Sequence, residues 1–266
     1  MNKFDKQIYR SFNPDLVNLS DFELVVHYHL HNYEKRIYGK CSNDVEIFSM
    51  RWLRGNGLEI GAGKYPTPLF GNASVTYADC DPELLYGGAK NDFFLDLNKL
   101  DDNLTEKYDF IIASHVLEHV DSFIMSIKNL IKMAKKNGYI YITLPDINFL
   151  NDKNFILNYD FDHHIKEYND PLFYAEEHDS RFTIAMNSHS TNETNYHAEI
   201  TKEYLIEIQT NTIKKHRFMH HKHNYSFINW TKLLIETNTF LGDAYEIVDM
   251  RFGHLRSDCH YILHKN

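Results

Sequence analysis

Five short apolar runs, separated by polar segments, constrain the fold of this chain more than any other feature of its sequence. They are residues 58–60, 75–78, 93–97, 110–113 and 139–144. Short runs of this kind favour strands that are buried on both faces, as in a parallel sheet. Residues 121–136 place apolar side chains on one stripe and end at Asn137-Gly138, which predicts an amphipathic helix. The pattern as a whole predicts an α/β fold.

The C-terminal part predicts the rest of the sheet. NWTKLLIETNTFLG, residues 229–242, has the character of a helix, and AYEIVDM and HYILH have that of strands joined by the short connection FGHLRSDC. We expect these two strands to form an antiparallel pair that closes the sheet.

A glycine turn follows the first apolar run directly. Leu58-Glu59-Ile60 leads into Gly61-Ala62-Gly63, and a Gly-x-Gly turn lets the backbone approach a ligand more closely than a Cβ atom would allow. A dinucleotide site needs a third glycine and a long helix behind the turn, but Pro66 stands at that third position and Pro68 follows it. The turn therefore favours a ligand with a nucleoside and no diphosphate.

Acidic residues follow the next two apolar runs. Asp79 ends VTYAD, where a carboxylate can accept hydrogen bonds from both ribose hydroxyls. Asp96 closes the third run in DFFLDLN, where it could read a purine amino group. We expect the glycine turn, Asp79 and Asp96 to hold the methionine-like, ribose and adenine parts of one ligand in succession.

With these motifs the sequence resembles the class I S-adenosylmethionine-dependent methyltransferases. The resemblance is carried, in the family's order and spacing, by EIGAG (59–63), YAD (77–79), FLDLN (94–98), YDFIIASHVLEHV (108–120) and NGYIYITLPD (137–146). Lys64-Tyr65 departs from it, because many members have a third glycine there.

The resemblance implies a Rossmann-like fold: a seven-stranded mixed sheet with helices on both faces, preceded here by a small N-terminal helical extension. It also implies S-adenosylmethionine as methyl donor and S-adenosylhomocysteine as product. The donor contacts that it implies are Glu59, Gly61, Gly63, Asp79, Asp96, Ser114 and His115.

Looser matches suggest a subgroup. PDINFLNDKN with DFDHHIKEYND, and the later stretch HKHNYSFINWTKLL, resemble segments of methyltransferases from bacterial capsule and surface-polysaccharide clusters. The N-terminal YRSFNPDL resembles a helical module attached to glycan-synthesis proteins. The acceptor that this resemblance implies is a nucleotide-linked sugar or a related glycan precursor, methylated on a hydroxyl or a phosphoryl-type oxygen.

Composition disfavours several other classes of protein. The formal net charge of -9 argues against the basic face that nucleic-acid binding requires. Three widely spaced cysteines, without a C-x-x-C pair, fit neither a disulfide framework nor a thiolate zinc site. There is no apolar run of ~18 residues and no leader-like N-terminus, so we expect a cytoplasmic protein without a membrane span.

The segment after the fourth run offers the first candidate base. His115-Val-Leu-Glu118-His119 matches the H-x-x-E-H of a zinc protease class, but that motif belongs inside a helix, whereas this one follows a strand. We assign no metal ligand here, and we propose His119 as a base for the acceptor hydroxyl. An alternative pairs Glu118 and His119 with a histidine of residues 163–223 around a divalent metal ion, similar to small-RNA 2′-O-methyltransferases.

Histidines of the later segment are further candidates. His163 and His164 are potential bases, although adjacent histidines in a polar loop are often only solvated. His220-His221-x-His223 resembles a metal cluster, but alternation along an extended segment would simply point His221 and His223 to one face.

The predicted organisation is an N-terminal helical extension over residues 1–50 and a methyltransferase domain over residues 51–266. Within that domain, residues 150–225 show little periodicity and are expected to form an acceptor-binding insertion. Two alternatives come from other classes: a catalytically silent methyltransferase fold that binds a partner, and an RNA methyltransferase.

Overall fold

The computed structural model describes residues 16, 18–24, 51–63, 66, 67, 69, 73–80, 89–99, 102–149, 159–170, 221–252 and 258–266. Most of the predicted N-terminal extension and most of the predicted insertion lie outside these residues. Ser20 and Glu23 form a capping box, because Ser20 N donates to Glu23 Oε2 over 2.7 Å and Glu23 N donates to Ser20 Oγ over 3.3 Å.

Seven strands form one mixed sheet. Their order across the sheet is β3-β2-β1-β4-β5-β7-β6, with β1 to β5 paired in parallel and β7 antiparallel to both of its neighbours. The strands are β1 (Asn56–Ile60), β2 (Ser74–Asp79), β3 (Phe93–Phe94), β4 (Tyr108–Ser114), β5 (Ala134–Pro145), β6 (Tyr245–Phe252) and β7 (Asp258–Lys265). The parallel sheet and the closing antiparallel pair are therefore both confirmed.

Three helices whose full bounds fall within the described residues accompany the sheet: α1 (Phe123–Met133), α2 (Phe161–Asn169) and α3 (Phe227–Phe240). Each begins at a polar cap, because the side chains of Ser122, Asp160 and Ser226 accept hydrogen bonds from backbone N–H groups of the first turn. Among the described residues, no helix combines the length and the apolar character that a membrane crossing requires.

α1 and α3 cover the same face of the sheet. Phe123 of α1 stacks against Trp230 of α3, with ring centroids 5.8 Å apart, and both pack on strand residues such as Ile111 and Ile142. The opposite face carries a smaller apolar cluster that includes Leu53 and Phe110. Burial of both faces explains why the central strands are continuous apolar runs rather than alternating ones.

Two predicted elements need correction. The helix predicted over 121–136 ends at Met133, because Ala134 already pairs with Tyr108 in β5. Asn137, with φ +60°, lies in an irregularity of that strand and does not terminate the helix. In addition, part of the segment 150–225 is helical. α2 was missed because it is only nine residues long and has only three apolar side chains, too few to predict a helix.

Candidate active site

The order of the strands places the site. The chain leaves β1 for β2 on one side of the sheet and later returns to β4 on the other, so β1 and β4 are neighbours at a topological switch point. Ligands of open α/β sheets bind beyond the carboxyl ends of the strands at this point. The glycine turn follows β1 there, and the segment 115–120 follows β4.

These two segments touch each other. A Cβ atom on Gly61, whose φ is +69°, would lie 2.6 Å from Val116 Cγ2. Gly63 also has a positive φ, of +53°, but a Cβ atom there would meet no atom of the described residues within 4 Å. Gly61 therefore allows close packing of the protein on itself, whereas the described residues leave space beside Gly63. A ligand such as S-adenosylmethionine that approaches the backbone closely needs space that a side chain would otherwise fill. The glycine turn offers this space and therefore fits the ligand.

Glu59 supports the segment behind the turn. It is buried, and its Oε1 accepts hydrogen bonds from the backbone N and the hydroxyl of Thr67, over 2.8 and 2.7 Å. Among the described residues, Glu59 Oε2 has no hydrogen-bond partner. Burial raises the pKa of this carboxyl, against the lowering effect of the Thr67 hydrogen bonds.

The two predicted aspartates lie at the same edge of the sheet. Asp79 is the last residue of β2, and its Oδ1 accepts from Cys80 N over 2.7 Å. Asp96 follows β3, and its Oδ1 accepts from Asn98 N over 2.9 Å. Both carboxylates are only partly buried, so each fixes its local turn through one oxygen and keeps an accessible surface.

His115 links the end of β4 to β7. Its Nδ1 lies 3.2 Å from Glu118 Oε1 and its Nε2 lies 3.5 Å from Asp258 Oδ1. Burial alone would lower the pKa of His115, but the hydrogen bonds to Asp258 and Glu118 outweigh it and raise the pKa to about 10. The ring is therefore cationic at neutral pH. Ser114, the preceding residue, ends β4.

One cluster of potential ligands lies beside this histidine. Glu118 is fully buried, His119 Nε2 lies 3.9 Å from Glu118 Oε1, and the rings of His119 and His221 meet edge to face with centroids 4.8 Å apart. One ligand atom from each of the three residues lies within 4.8 Å of the others. Residues 117–119 form a turn rather than a helix, which agrees with the rejection of the protease motif.

A second cluster surrounds Glu167 of α2. Its Oε1 lies 2.7 Å from Nε2 of both His163 and His223, and its Oε2 lies 2.8 Å from His164 Nδ1. His164 Nε2 lies 2.7 Å from the hydroxyl of Tyr225. The prediction of a polar loop was wrong here, since His163 and His164 lie on a helix and His164 is completely buried.

The segment 221–223 connects the two clusters. Its backbone N–H groups at Lys222 and His223 donate to Glu118 O over 2.7 and 3.2 Å. The Lys222 side chain is buried and forms an ion pair with Asp121. The expectation that His221 and His223 share one face is wrong, because His221 joins the Glu118 cluster and His223 joins the Glu167 cluster.

The seven-stranded sheet, with antiparallel β7 between β5 and β6 and a glycine turn at the switch point, has the Rossmann-like architecture of class I methyltransferases. A family model described as "Methyltransferase domain" matches residues 33–183. That match covers more than half of the chain, which therefore belongs to this methyltransferase family. Membership implies S-adenosylmethionine as the cofactor, as expected from the sequence.

Solved structures provide further similarities. A protein from Rhodobacter sphaeroides assigned as a Zn-dependent alcohol dehydrogenase matches with a TM-score of 0.50 and 13% identity, covering 91% of this chain and 97% of that one. SAM-dependent methyltransferases from Methanosarcina mazei (TM-score 0.42, 16% identity, 81% and 95% covered) and Thermotoga maritima (0.43, 13%, 98% and 100%) also match. At this identity the Rhodobacter match supports the fold alone. No curated protein matches the chain in sequence.

The structure thus brings the donor candidates together at one edge and divides the histidine candidates between two clusters. The sequence interpretation missed Asp258, Glu167 and Tyr225. Asp258 and Tyr225 are recognisable only through partners more than fifty residues away, so no local motif marks them. Glu167 had a local signal, because it follows His164 by three residues and His163 by four.

Proposed function

We propose that this chain transfers a methyl group from S-adenosylmethionine to an oxygen of a sugar or of a phosphoryl-type group in a bacterial capsule or surface-polysaccharide precursor. The glycine turn, Asp79 and Asp96 would hold the donor, with Glu59, Ser114 and His115 supporting or contacting it. A nucleotide-linked glycan of the cytoplasm is the proposed acceptor. The resemblance to methyltransferases of polysaccharide clusters supports the choice of acceptor.

One observation supports acceptor chemistry at this edge more than any other. The turn that carries Glu118 and His119 also carries Val116, whose side chain packs against Gly61. A group that takes the proton of an acceptor hydroxyl must lie close to the donor. Of the three candidate bases, His119 is the most exposed, with 21% of its side chain accessible, against 12% for His163 and 1% for His164. We therefore propose His119 as the residue that activates the acceptor hydroxyl.

We also propose that the insertion 150–225 supplies much of the acceptor surface. Its described parts reach the same edge: Tyr225 forms a bridge with Asp146, directly after β5, and Lys222 donates to Glu118 O. We propose, in addition, that the chain divides into an N-terminal helical extension, residues 1–50, and a methyltransferase domain, residues 51–266. The family match begins at residue 33, inside the proposed extension.

The first test is a calorimetric titration with S-adenosylhomocysteine. We expect micromolar binding that Asp79→Ala abolishes, because the ribose contact is lost. Asp102→Ala is a matched control that removes an exposed carboxylate paired with Lys132, and it should bind normally. A folded wild-type protein that gives no heat would overturn the enzyme assignment and favour a silent, partner-binding subunit.

The second test identifies the acceptor. Transfer of a labelled methyl group should be measured with a panel of nucleotide sugars and phosphorylated glycans, and separately with RNA. The proposal would be supported if the wild type transfers the methyl group to a glycan and His119→Ala does so more slowly. Salt-dependent RNA retention and methylated RNA alone would instead support the RNA alternative.

A further inference from the structure

We propose that Glu118, His119 and His221 form a binding site for one divalent transition-metal ion, with zinc as the best match to its ligands. The existence of the site does not depend on the proposed function. Its role, to bind the acceptor oxygen, does rest on that function.

The first support is the state of Glu118. Its side chain is completely buried, and Oε1 is engaged by His115, whereas Oε2 has no hydrogen-bond partner among the described residues. An ionised oxygen buried without a partner is costly, and protein carboxylates in this position are usually paired or bound to metal. A cation beside Oε2 would satisfy it.

The second support is the spacing of the ligand atoms. His119 Nε2 and Glu118 Oε1 are 3.9 Å apart, too far for a hydrogen bond. Two ligands that each lie about 2.1 Å from a tetrahedral ion are about 3.4 Å apart. In the three-residue cluster one ligand atom from each residue lies within 4.8 Å of the others, so these atoms would approach one another by up to about 1.4 Å when an ion binds.

The third support is the surroundings of the ligands. His221 Nδ1 lies 3.1 Å from Asn224 Oδ1, and because an amide oxygen only accepts, this contact requires the proton on Nδ1 and leaves Nε2 as the ligand atom of the neutral ring. This is the arrangement in which outer-shell groups orient metal-binding imidazoles. The backbone bond from Lys222 N to Glu118 O fixes the segment of His221 against the carboxylate.

Two nitrogens and one carboxylate oxygen form a ligand set that zinc accepts while keeping a further position open. The partial exposure of His119 gives that position access to a substrate. A hydroxyl bound there is acidified: its proton leaves to water, the oxygen bonds to the methyl carbon, and the electrons of the carbon–sulfur bond remain on sulfur. In this arrangement His119 acts as a ligand rather than as the proton acceptor.

The Glu167 cluster provides the contrast. There the carboxylate receives three imidazole nitrogens at 2.7–2.8 Å, so that hydrogen bonds alone satisfy both of its oxygens. Among the described residues, Glu118 Oε2 has no hydrogen-bond partner, and the proposal is therefore confined to the Glu118 cluster.

The test uses the full chain, stripped with a chelator and titrated calorimetrically with Zn²⁺, and with Co²⁺ for its visible absorption. We expect one ion per chain. His221→Ala and the nearly isosteric Glu118→Gln should weaken binding by more than about 100-fold, and Asn224→Ala by about 10- to 100-fold. His264→Ala, which removes a half-buried imidazole on β7, and His163→Ala should bind as the wild type does.

Absence of stoichiometric binding to the folded wild type would overturn the proposal. So would binding that survives in both His221→Ala and Glu118→Gln, or that is lost only in His163→Ala, which would place the ion at Glu167. Titration of the stripped protein with S-adenosylhomocysteine is read separately: failure there counts against the methyltransferase function and leaves the metal result standing.

Discussion

Replacing Gly63 with alanine tests whether the glycine turn is a donor cradle. Gly63 and Gly242 share a positive φ, of +53° and +74°, and within the described part of the chain a Cβ atom on either would meet nothing within 4 Å. Alanine in this conformation costs about 1–2 kcal/mol, so both variants should lose the same small amount of unfolding free energy. Only Gly63 lies at the carboxyl end of β1, where the donor is expected.

The two alanine variants should therefore differ in binding while they agree in stability. We expect Gly63→Ala to weaken S-adenosylhomocysteine binding at least tenfold, about 1.4 kcal/mol, because its methyl group occupies space that the ligand needs. Gly242→Ala should bind as the wild type does. Urea unfolding gives the stability and calorimetry gives the affinity. Unchanged affinity in Gly63→Ala, or equal losses in both variants, would refute the cradle.

Gly61→Ala extends the comparison to protein packing. The added methyl group has the same backbone cost and also overlaps Val116 Cγ2. Overpacking of this kind typically costs about 1–3 kcal/mol, so the total loss should be about 2–5 kcal/mol. In the double variant with Val116→Ala, the part of the unfolding free energy lost through the overlap should be recovered, and the part lost through the backbone conformation should not. A double variant no better than the additive sum would show that Val116 is not the obstacle.

Three further predictions concern the buried polar groups. Lys222→Met should lower the unfolding free energy by about 3–5 kcal/mol in urea, because it removes one member of a buried ion pair; the double variant with Asp121→Leu should lose less. Glu59→Gln should gain stability relative to the wild type as the pH rises above the ordinary pKa of a glutamate: burial raises the folded-state pKa of Glu59, so the wild type loses stability between the ordinary pKa and the raised one, and the variant cannot. A pH-independent difference between the two proteins would contradict this. Trp230→Phe should cost about 1–3 kcal/mol, because the buried bond from Trp230 Nε1 to Pro145 O is lost, and a near-neutral effect on thermal unfolding would argue against that bond.

The strands were predictable because local patterns determine them. A strand buried on both faces is largely apolar, as residues 110–113 of β4 are, although β1 also carries the buried Glu59. The end of α1 was not predictable in the same way. Asn137-Gly138 has the residues of a helix stop, but a Cβ atom on Gly138 would lie 3.0 Å from Asp109 O and 2.8 Å from Lys135 O. This glycine is needed for close packing within β5, a tertiary reason that a local pattern does not contain.

The donor half of the site was likewise predictable from local motifs, because the glycine turn and the aspartates each follow their own strand. The histidine half depends on contacts between distant segments. Period-two alternation placed His221 and His223 on one face, and this would hold in a regular strand. Here both N–H groups of Lys222 and His223 bond to the single carbonyl of Glu118, and no regular strand directs two successive N–H groups to one acceptor. That bifurcated contact turns the backbone between the two histidines, so that one imidazole reaches Glu118 and the other reaches Glu167. The bonds of Lys222 N and His223 N to Glu118 O therefore explain both why the alternation prediction was wrong and how His221 reaches the proposed metal site.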